Sequence, residues 1–206
     1  MKRIIFATSN EGKLLEIREA FKDLDLEIIS LKELGLDIDI EESGSTFEEN
    51  AIIKARRVME VTGENVMADD SGLEVDYLGK APGVHSSRYL GEDTSYHVKN
   101  NHIIHLLEDV KDDERSARFV CTIAFVSSKD EVICRKGTME GFIAHKPKGD
   151  KGFGYDPIFC IPELECTTAE MLAEEKNKIS HRGKALEAMK EALVAIYGNS
   201  KNKHGE

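Results

Sequence analysis

Residues 3–31, RIIFATSNEGKLLEIREAFKDLDLEIISL, set two short apolar runs on either side of a stretch with helical spacing. The run 3–7 is short, apolar and rich in β-branched residues, which predicts a buried strand. Thr8-Ser9-Asn10 breaks it, and Leu14, Leu15, Ile17, Arg18 and Phe21 follow at helical spacing. A second β-branched run at 26–31 predicts another strand, so the chain opens as a β-α-β unit.

Beyond this unit, an acidic, glycine-marked loop spans Asp37 to Gly44. Thr46-Phe47-Glu48-Glu49 has the form of a capping box, which predicts a helix to about Thr62. Asn65 to Ala68 reads as a strand ending on Asp69-Asp70-Ser71-Gly72. A loop-rich part punctuated by Gly79, Pro82, Gly83 and Gly91 leads to a predicted helix over 95–108. Ala117–Val126 and Glu131–Gly141, joined by the polar turn 127–130, predict a hairpin. Beyond the glycine-rich basic loop 145–157, Ser180 caps a helix over 181–197 that sets Leu186, Met189, Leu193 and Ile196 on one face. The expectation is one α/β fold with a mixed sheet in two lobes, over residues 1–198, with a disordered polar tail at 199–206.

Composition narrows the function. Among 206 residues, 39 are Asp or Glu and 28 are Lys or Arg, a net charge of −11. A surface-wide grip on nucleic acid or an anionic membrane needs the opposite balance, so neither partner is expected. A single polyphosphate remains possible where a few cations converge. Cys121, Cys134, Cys160 and Cys166 form no C-x-x-C pair and read as free thiols of a reducing compartment. The apolar opening stops at Thr8, short of a signal sequence, and no run approaches a membrane span, so a cytoplasmic protein is expected.

Four stretches carry chemistry. Thr8-Ser9-Asn10-Glu11-Gly12-Lys13 lies at a strand-to-helix turn, where hydroxyls, backbone N–H groups and a lysine suit an anion, although a capped helix with a solvated lysine would look the same. Asp69-Asp70 pairs two carboxylates that repel unless a cation compensates, and Glu41-Glu42 can add a further ligand for a hard ion such as Mg²⁺. Lys151-Gly152-Phe153-Gly154-Tyr155-Asp156-Pro157 alternates glycine with aromatic residues, offering stacking faces for a flat ligand and a carboxylate for a base N–H. Lys176 and Arg182 flank the start of the last helix, with His181 as a further donor. His102 and His105 lack a third metal ligand. Arg115 and Arg118 are expected to pair with Asp112, Asp113 or Glu114.

Together these segments resemble one family, the inosine/xanthosine triphosphate pyrophosphatases, over residues 3 to about 195. The resemblance rests on Ala7-Thr8-Ser9-Asn10 with Lys13, Thr46-Phe47-Glu48-Glu49-Asn50-Ala51 with Lys54, Asp69-Asp70-Ser71-Gly72-Leu73 and Pro82-Gly83. It continues in Gly152 to Pro157, Glu175-Lys176-Asn177 and Ile179-Ser180-His181-Arg182. Ser87 stands where the family usually has alanine, and Met171 where leucine is common.

The resemblance implies a long twisted mixed sheet flanked by helices, with two lobes and a central cleft, in a homodimer. It implies Mg²⁺-dependent hydrolysis of ITP, dITP and XTP to the monophosphate and pyrophosphate. Glu41 and Asp70 would then hold the metal, Glu42 being the alternative to Glu41, and Asp70 would act as general base. Thr8, Ser9, Asn10, Glu11, Gly12, Lys13, Lys54 and Lys176 would grip the polyphosphate. Ser71, Phe153, Gly154, Tyr155, Asp156, His181 and Arg182 would contact the nucleoside. A related pyrophosphatase of modified pyrimidine nucleotides and a nucleotide sensor without turnover are the competing readings.

Overall fold

The computed structural model describes residues 2–8 and 10–197, so Ser9 and the expected tail at 199–206 lie outside the described residues. The opening forms as expected: β1 (Lys2–Phe6), α1 (Glu11–Phe21) and β2 (Leu26–Ser30), with β1 and β2 parallel and Ile4 opposite Ile28. Asn10 caps α1, its side-chain oxygen accepting from the Lys13 N–H at 3.1 Å. α2 (Phe47–Thr62) starts in a true capping box. The Thr46 hydroxyl accepts from the Glu49 N–H at 3.1 Å, and the Glu49 carboxylate accepts from the Thr46 N–H at 3.2 Å. The helix ends at Gly63, whose φ of 68° is the left-handed turn that glycine adopts without a steric cost.

The remaining elements are β3 (Val66–Val75), α3 (Tyr96–Leu106), β4 (Ser116–Val126), β5 (Val132–Ile143), β6 (Phe159–Ile161), β7 (Cys166–Thr167), α4 (Ala173–Ile179) and α5 (His181–Tyr197). The strands make one seven-stranded sheet in the order β2-β1-β3-β4-β5-β6-β7. β1 pairs parallel with β2 and β3, whereas β6 pairs antiparallel with β5 and β7, so the sheet is mixed and the fold α/β, as expected.

The chain divides into two compact units. The first holds the residues up to Asp70, Cys121–Gly137 and those from Arg182 onward. The end of β1 is buried on both faces: Ile4 and Phe6 pack with Leu14, Ile17 and Phe21 of α1 and with Ala185, Leu186, Met189 and Leu193 of α5. Ile5 and Ala7, pointing the other way along the same strand, pack with Ala51, Ala55 and Val58 of α2. The second unit holds Ser71–Val120 and Thr138–His181. Its core gathers Leu73, Val75, Ile103, Leu107, Phe119, Met139, Ile143, Phe159 and Met171. Met171, one of the two departures from the family pattern, is thus an ordinary core residue. β3, β4 and β5 each run from one unit into the other.

Several expectations need correction. The strand through Ala68 does not end on Asp69-Asp70 but continues to Val75, with both aspartates buried inside it. Neither arginine pairs as expected. Arg115 is 1 % exposed, and its guanidinium donates to the carbonyls of Ile143 (2.8 Å), Ala144 (2.9 Å) and Leu107. Arg118 pairs with Asp76 at 3.1 Å and Glu140 at 2.9 Å. Strand pairing carries Arg118 to acidic residues distant in sequence, and burial hands Arg115 to backbone oxygens. Ile196 is exposed, so the buried face of α5 ends at Leu193.

Candidate active site

In the first unit, Asp69 is the centre of an ionic cluster. It is 2 % exposed, and its Oδ2 accepts from Lys13 Nζ at 2.7 Å and from Arg182 at 3.5 Å. Arg182 also donates to Glu16 at 3.0 Å. Burial alone would raise the Asp69 pKa, but Lys13, Arg182 and Lys54 outweigh it and hold the carboxyl well below the usual carboxylate range. Asp69 is therefore a fixed anion that orients two cations from two helices. Its sequence neighbour Asp70 points into a different environment, because successive strand side chains alternate between faces.

Asp70 accepts from Asn50 Nδ2 at 3.1 Å and from Lys54 Nζ at 3.3 Å. Both donors lie on α2, one turn apart. Lys54 also donates to Glu42 at 3.0 Å. Here the balance is reversed: burial outweighs Lys54 and Asn50, Glu42 adds repulsion, and the Asp70 pKa is raised. A carboxylate under-compensated by its own surroundings fits a divalent cation. No group of three or more His, Cys, Asp or Glu capable of holding a metal occurs among the described residues. A site with only one or two carboxylates is of the kind that Mg²⁺ takes, since that ion keeps waters and phosphate oxygens as its other ligands. Glu41 is exposed, and it is Glu42 that shares Lys54 with Asp70.

At the β1–α1 turn, the Thr8 hydroxyl accepts from the Asn10 N–H at 3.1 Å. Gly12 follows in the first turn of α1, where an added Cβ would stand 3.1 Å from Asn10 Oδ1. Glu11 is turned to Lys32, at 2.8 Å, on an exposed face. Lys13 of the same turn is the one the structure brings to Asp69.

The second unit holds the other predicted residues, again around a buried aspartate. Asp156 is 2 % exposed and fully engaged: Oδ2 accepts from Lys176 Nζ at 2.6 Å and the Phe153 N–H at 2.8 Å, and Oδ1 accepts from the Thr168 hydroxyl at 2.8 Å. It braces the loop rather than presenting a carboxylate to a base. Gly152 shows why the loop needs glycine: its φ is 72°, and an added Cβ would come within 2.2 Å of Asp156 Oδ2. The two aromatics separate. Phe153 is half exposed with Lys176 Nζ 5.1 Å from its ring centroid, whereas Tyr155 is buried with its hydroxyl donating to the Ser86 carbonyl at 2.7 Å. Of the two, only Phe153 keeps its ring partly exposed. Gly154 lies between them with φ of 69°. His181, buried, stacks on Phe119 with ring centroids 4.9 Å apart and planes 16° from parallel. Ser71, half buried, follows Asp70 in β3. Ser87 is exposed and Lys99 bonds its backbone carbonyl, a contact that an alanine there would keep.

Sequence reasoning missed the structural weight of Asp69, Glu16 and Asn50. The Asp-Asp pair in a strand was the available signal for the first, since alternation forces the two carboxylates onto opposite faces.

These features describe a mixed-sheet α/β protein in which three buried aspartates, Asp69, Asp70 and Asp156, hold lysine and arginine side chains. The chain belongs to the Ham1 family, whose sequence pattern matches residues 4–192. A dITP/XTP pyrophosphatase of Clostridium perfringens is 50 % identical over 202 residues, covering 95 % of this chain and 99 % of the relative. One of Photorhabdus laumondii is 46 % identical, covering 94 % and 98 %. Among solved structures, a HAM1 protein from Coxiella burnetii matches with a TM-score of 0.89 and 45 % identity, covering 95 % of this chain and all (100 %) of that one.

Proposed function

We propose that this chain hydrolyses dITP, XTP and ITP to the nucleoside monophosphate and pyrophosphate in a Mg²⁺-dependent reaction. The observation that carries the reading is the Asp69–Asp70 pair, one aspartate fixing Lys13 and Arg182 and the other held under-compensated beside Lys54. The names of relatives at 46–50 % identity support the same chemistry.

Asp70 and Glu42 would hold the ion, with Glu41 the alternative; when bound, it neutralises phosphoryl charge and helps position the attacking water. Asp70 is the general base, accepting the proton of that water. Lys13, Lys54 and Lys176, with the turn Thr8-Ser9-Asn10-Glu11-Gly12, stabilise the phosphate chain. Each lysine already has a carboxylate partner, so substrate exchanges one anion for another rather than meeting bare cations.

The base rests on Phe153 of the loop through Gly154, Tyr155 and Asp156, beside Ser71. His181 and Arg182 donate to the carbonyl at position 6. Adenine presents an amino group there, and an unmatched buried polar group costs about 1–3 kcal/mol. The reading includes a cytoplasmic homodimer acting through a catalytic region at 1–198. No helix among the described residues is long and apolar enough to cross a membrane.

The test is a pyrophosphate-release assay on a panel of purine and modified pyrimidine triphosphates, with and without Mg²⁺, and light scattering for the dimer. ITP, dITP and XTP should be turned over far faster than ATP, CTP or UTP, giving monophosphate and pyrophosphate without a diphosphate. Comparable kcat/KM for ATP, or orthophosphate as first product, overturns the reading. Binding without turnover makes the chain a sensor.

A further inference from the structure

The buried face of α3 breaks the pattern of a core helix. Positions 99, 100 and 103, with the C-cap residue 107, recur at helical spacing and are all buried, yet the first two are Lys99 and Asn100 while the others are Ile103 and Leu107. A lysine and an asparagine on a core-facing stripe oppose burial, and departures of this kind concentrate where a protein needs position more than stability.

Each side chain grips backbone. Lys99, 1 % exposed, donates from Nζ to the Ser87 carbonyl at 2.5 Å and lies 4.9 Å from the centroid of the Tyr96 ring. Asn100, 4 % exposed, donates from Nδ2 to the carbonyl of Gly154 at 3.1 Å. Its Oδ1 has no hydrogen-bond partner among the described residues. Turning the amide over would set an oxygen against the Gly154 carbonyl, so this orientation is the one the loop dictates. A buried acceptor left unmatched opposes folding, so Asn100 is an inefficient choice for stability alone. The contact falls on the residue between Phe153 and Tyr155. Tyr155 is tied independently, by its hydroxyl to the Ser86 carbonyl and edge-to-face against Tyr96 at 5.2 Å. The loop is thus fixed at Asp156 by Lys176 and Thr168, at Tyr155 by Ser86, and at Gly154 by Asn100 alone among the described side chains.

We propose that Asn100 is a positioning residue for substrate binding, holding the Gly154 carbonyl so that the Phe153 ring is presented in one orientation to the purine. This rests on the reading that the 153–156 loop takes the base. Asn100 touches no reacting atom, so it governs affinity and leaves the chemical step alone.

The experiment compares kcat, KM for ITP and thermal unfolding in the full-length wild type, Asn100→Leu, Asn100→Asp and Phe153→Ala. Leucine keeps the volume and removes the donor. Aspartate keeps the shape and replaces the donor with an acceptor, and it serves where the leucine variant fails to fold. KM raised about tenfold with kcat within twofold of wild type, in whichever Asn100 variant folds, is the expected result. An unchanged KM in a folded Asn100 variant while Phe153→Ala raises it overturns the role of Asn100. So does a loss confined to kcat, which is the mark of a smaller folded fraction. An unchanged KM in Phe153→Ala overturns the base-binding reading itself.

Discussion

At the scale of single residues, two adjacent aspartates do opposite work because a strand sends them to opposite faces. Asp69 is fully compensated and fixed as an anion; Asp70 is buried beside Glu42 with its pKa raised. Asp70→Asn keeps the volume and one oxygen but removes the base, so kcat should fall by at least about 10²-fold. The melting temperature in EDTA should not fall, because an under-compensated charge has been removed. A folded variant with near-normal turnover would remove Asp70 from the mechanism. Gly152 offers a sharper steric case. Gly152→Ala places a methyl group within 2.2 Å of Asp156 Oδ2 at a φ of 72°. Backbone strain of this kind costs about 1–3 kcal/mol, so KM for ITP should rise at least about fivefold with little change in kcat. An unchanged KM would show that the loop absorbs the methyl group.

At the scale of elements, α1 is tied to β2 through one arginine. Arg18 donates twice to the Ile28 carbonyl and pairs with Glu33 at 2.7 Å, while Glu33 also accepts from the Ser30 N–H and hydroxyl. The Arg18 hydrogen bond and the two from Ser30 lower the Glu33 pKa from 4.5 to about 2. A carboxyl with a depressed folded-state pKa stabilises the fold above its unfolded value and loses that contribution as pH falls through the folded one. Glu33→Gln should therefore melt lower than wild type at neutral pH, and the gap should close between about pH 4.5 and about pH 2. Melting curves across that range test it; a gap independent of pH would assign the effect to packing.

The same scale shows what the sequence discloses. The β-α-β opening, the capping box at Thr46 and the hairpin strands were legible because each is written in local periodicity and local hydrogen bonding. The partners of Arg115 and Arg118, the pairing of Glu42 with Lys54, and the burial of Tyr155 were not. Each is decided by strands or loops far apart in the chain, where spacing carries no signal. Asp156 illustrates the difference: its place in the glycine-aromatic loop was visible, but its occupation by Lys176 and Thr168 was not.

At the scale of the whole molecule, the first unit depends on its last helix. Leu193 is fully buried against residues of α1 and β1, so Leu193→Ala should cost about 2–5 kcal/mol of stability. Urea unfolding monitored by circular dichroism gives the number, and a loss under about 1 kcal/mol would mean that the helix repacks.

Neither unit is a continuous stretch of chain, and this orders its biosynthesis. The strands and helices of residues 2–30 leave the ribosome first, yet the core they belong to requires Ala185, Leu186, Met189 and Leu193, which emerge only after the whole of the second unit. At about 5–20 residues per second, Ile4 and Phe6 wait roughly ten seconds or more for those partners. Meanwhile every segment of the second unit has already been translated by His181. The second unit, inserted in the middle of the sequence, is therefore the first that can be completed, and the nascent first unit is the stage at which a chaperone would find exposed apolar strands.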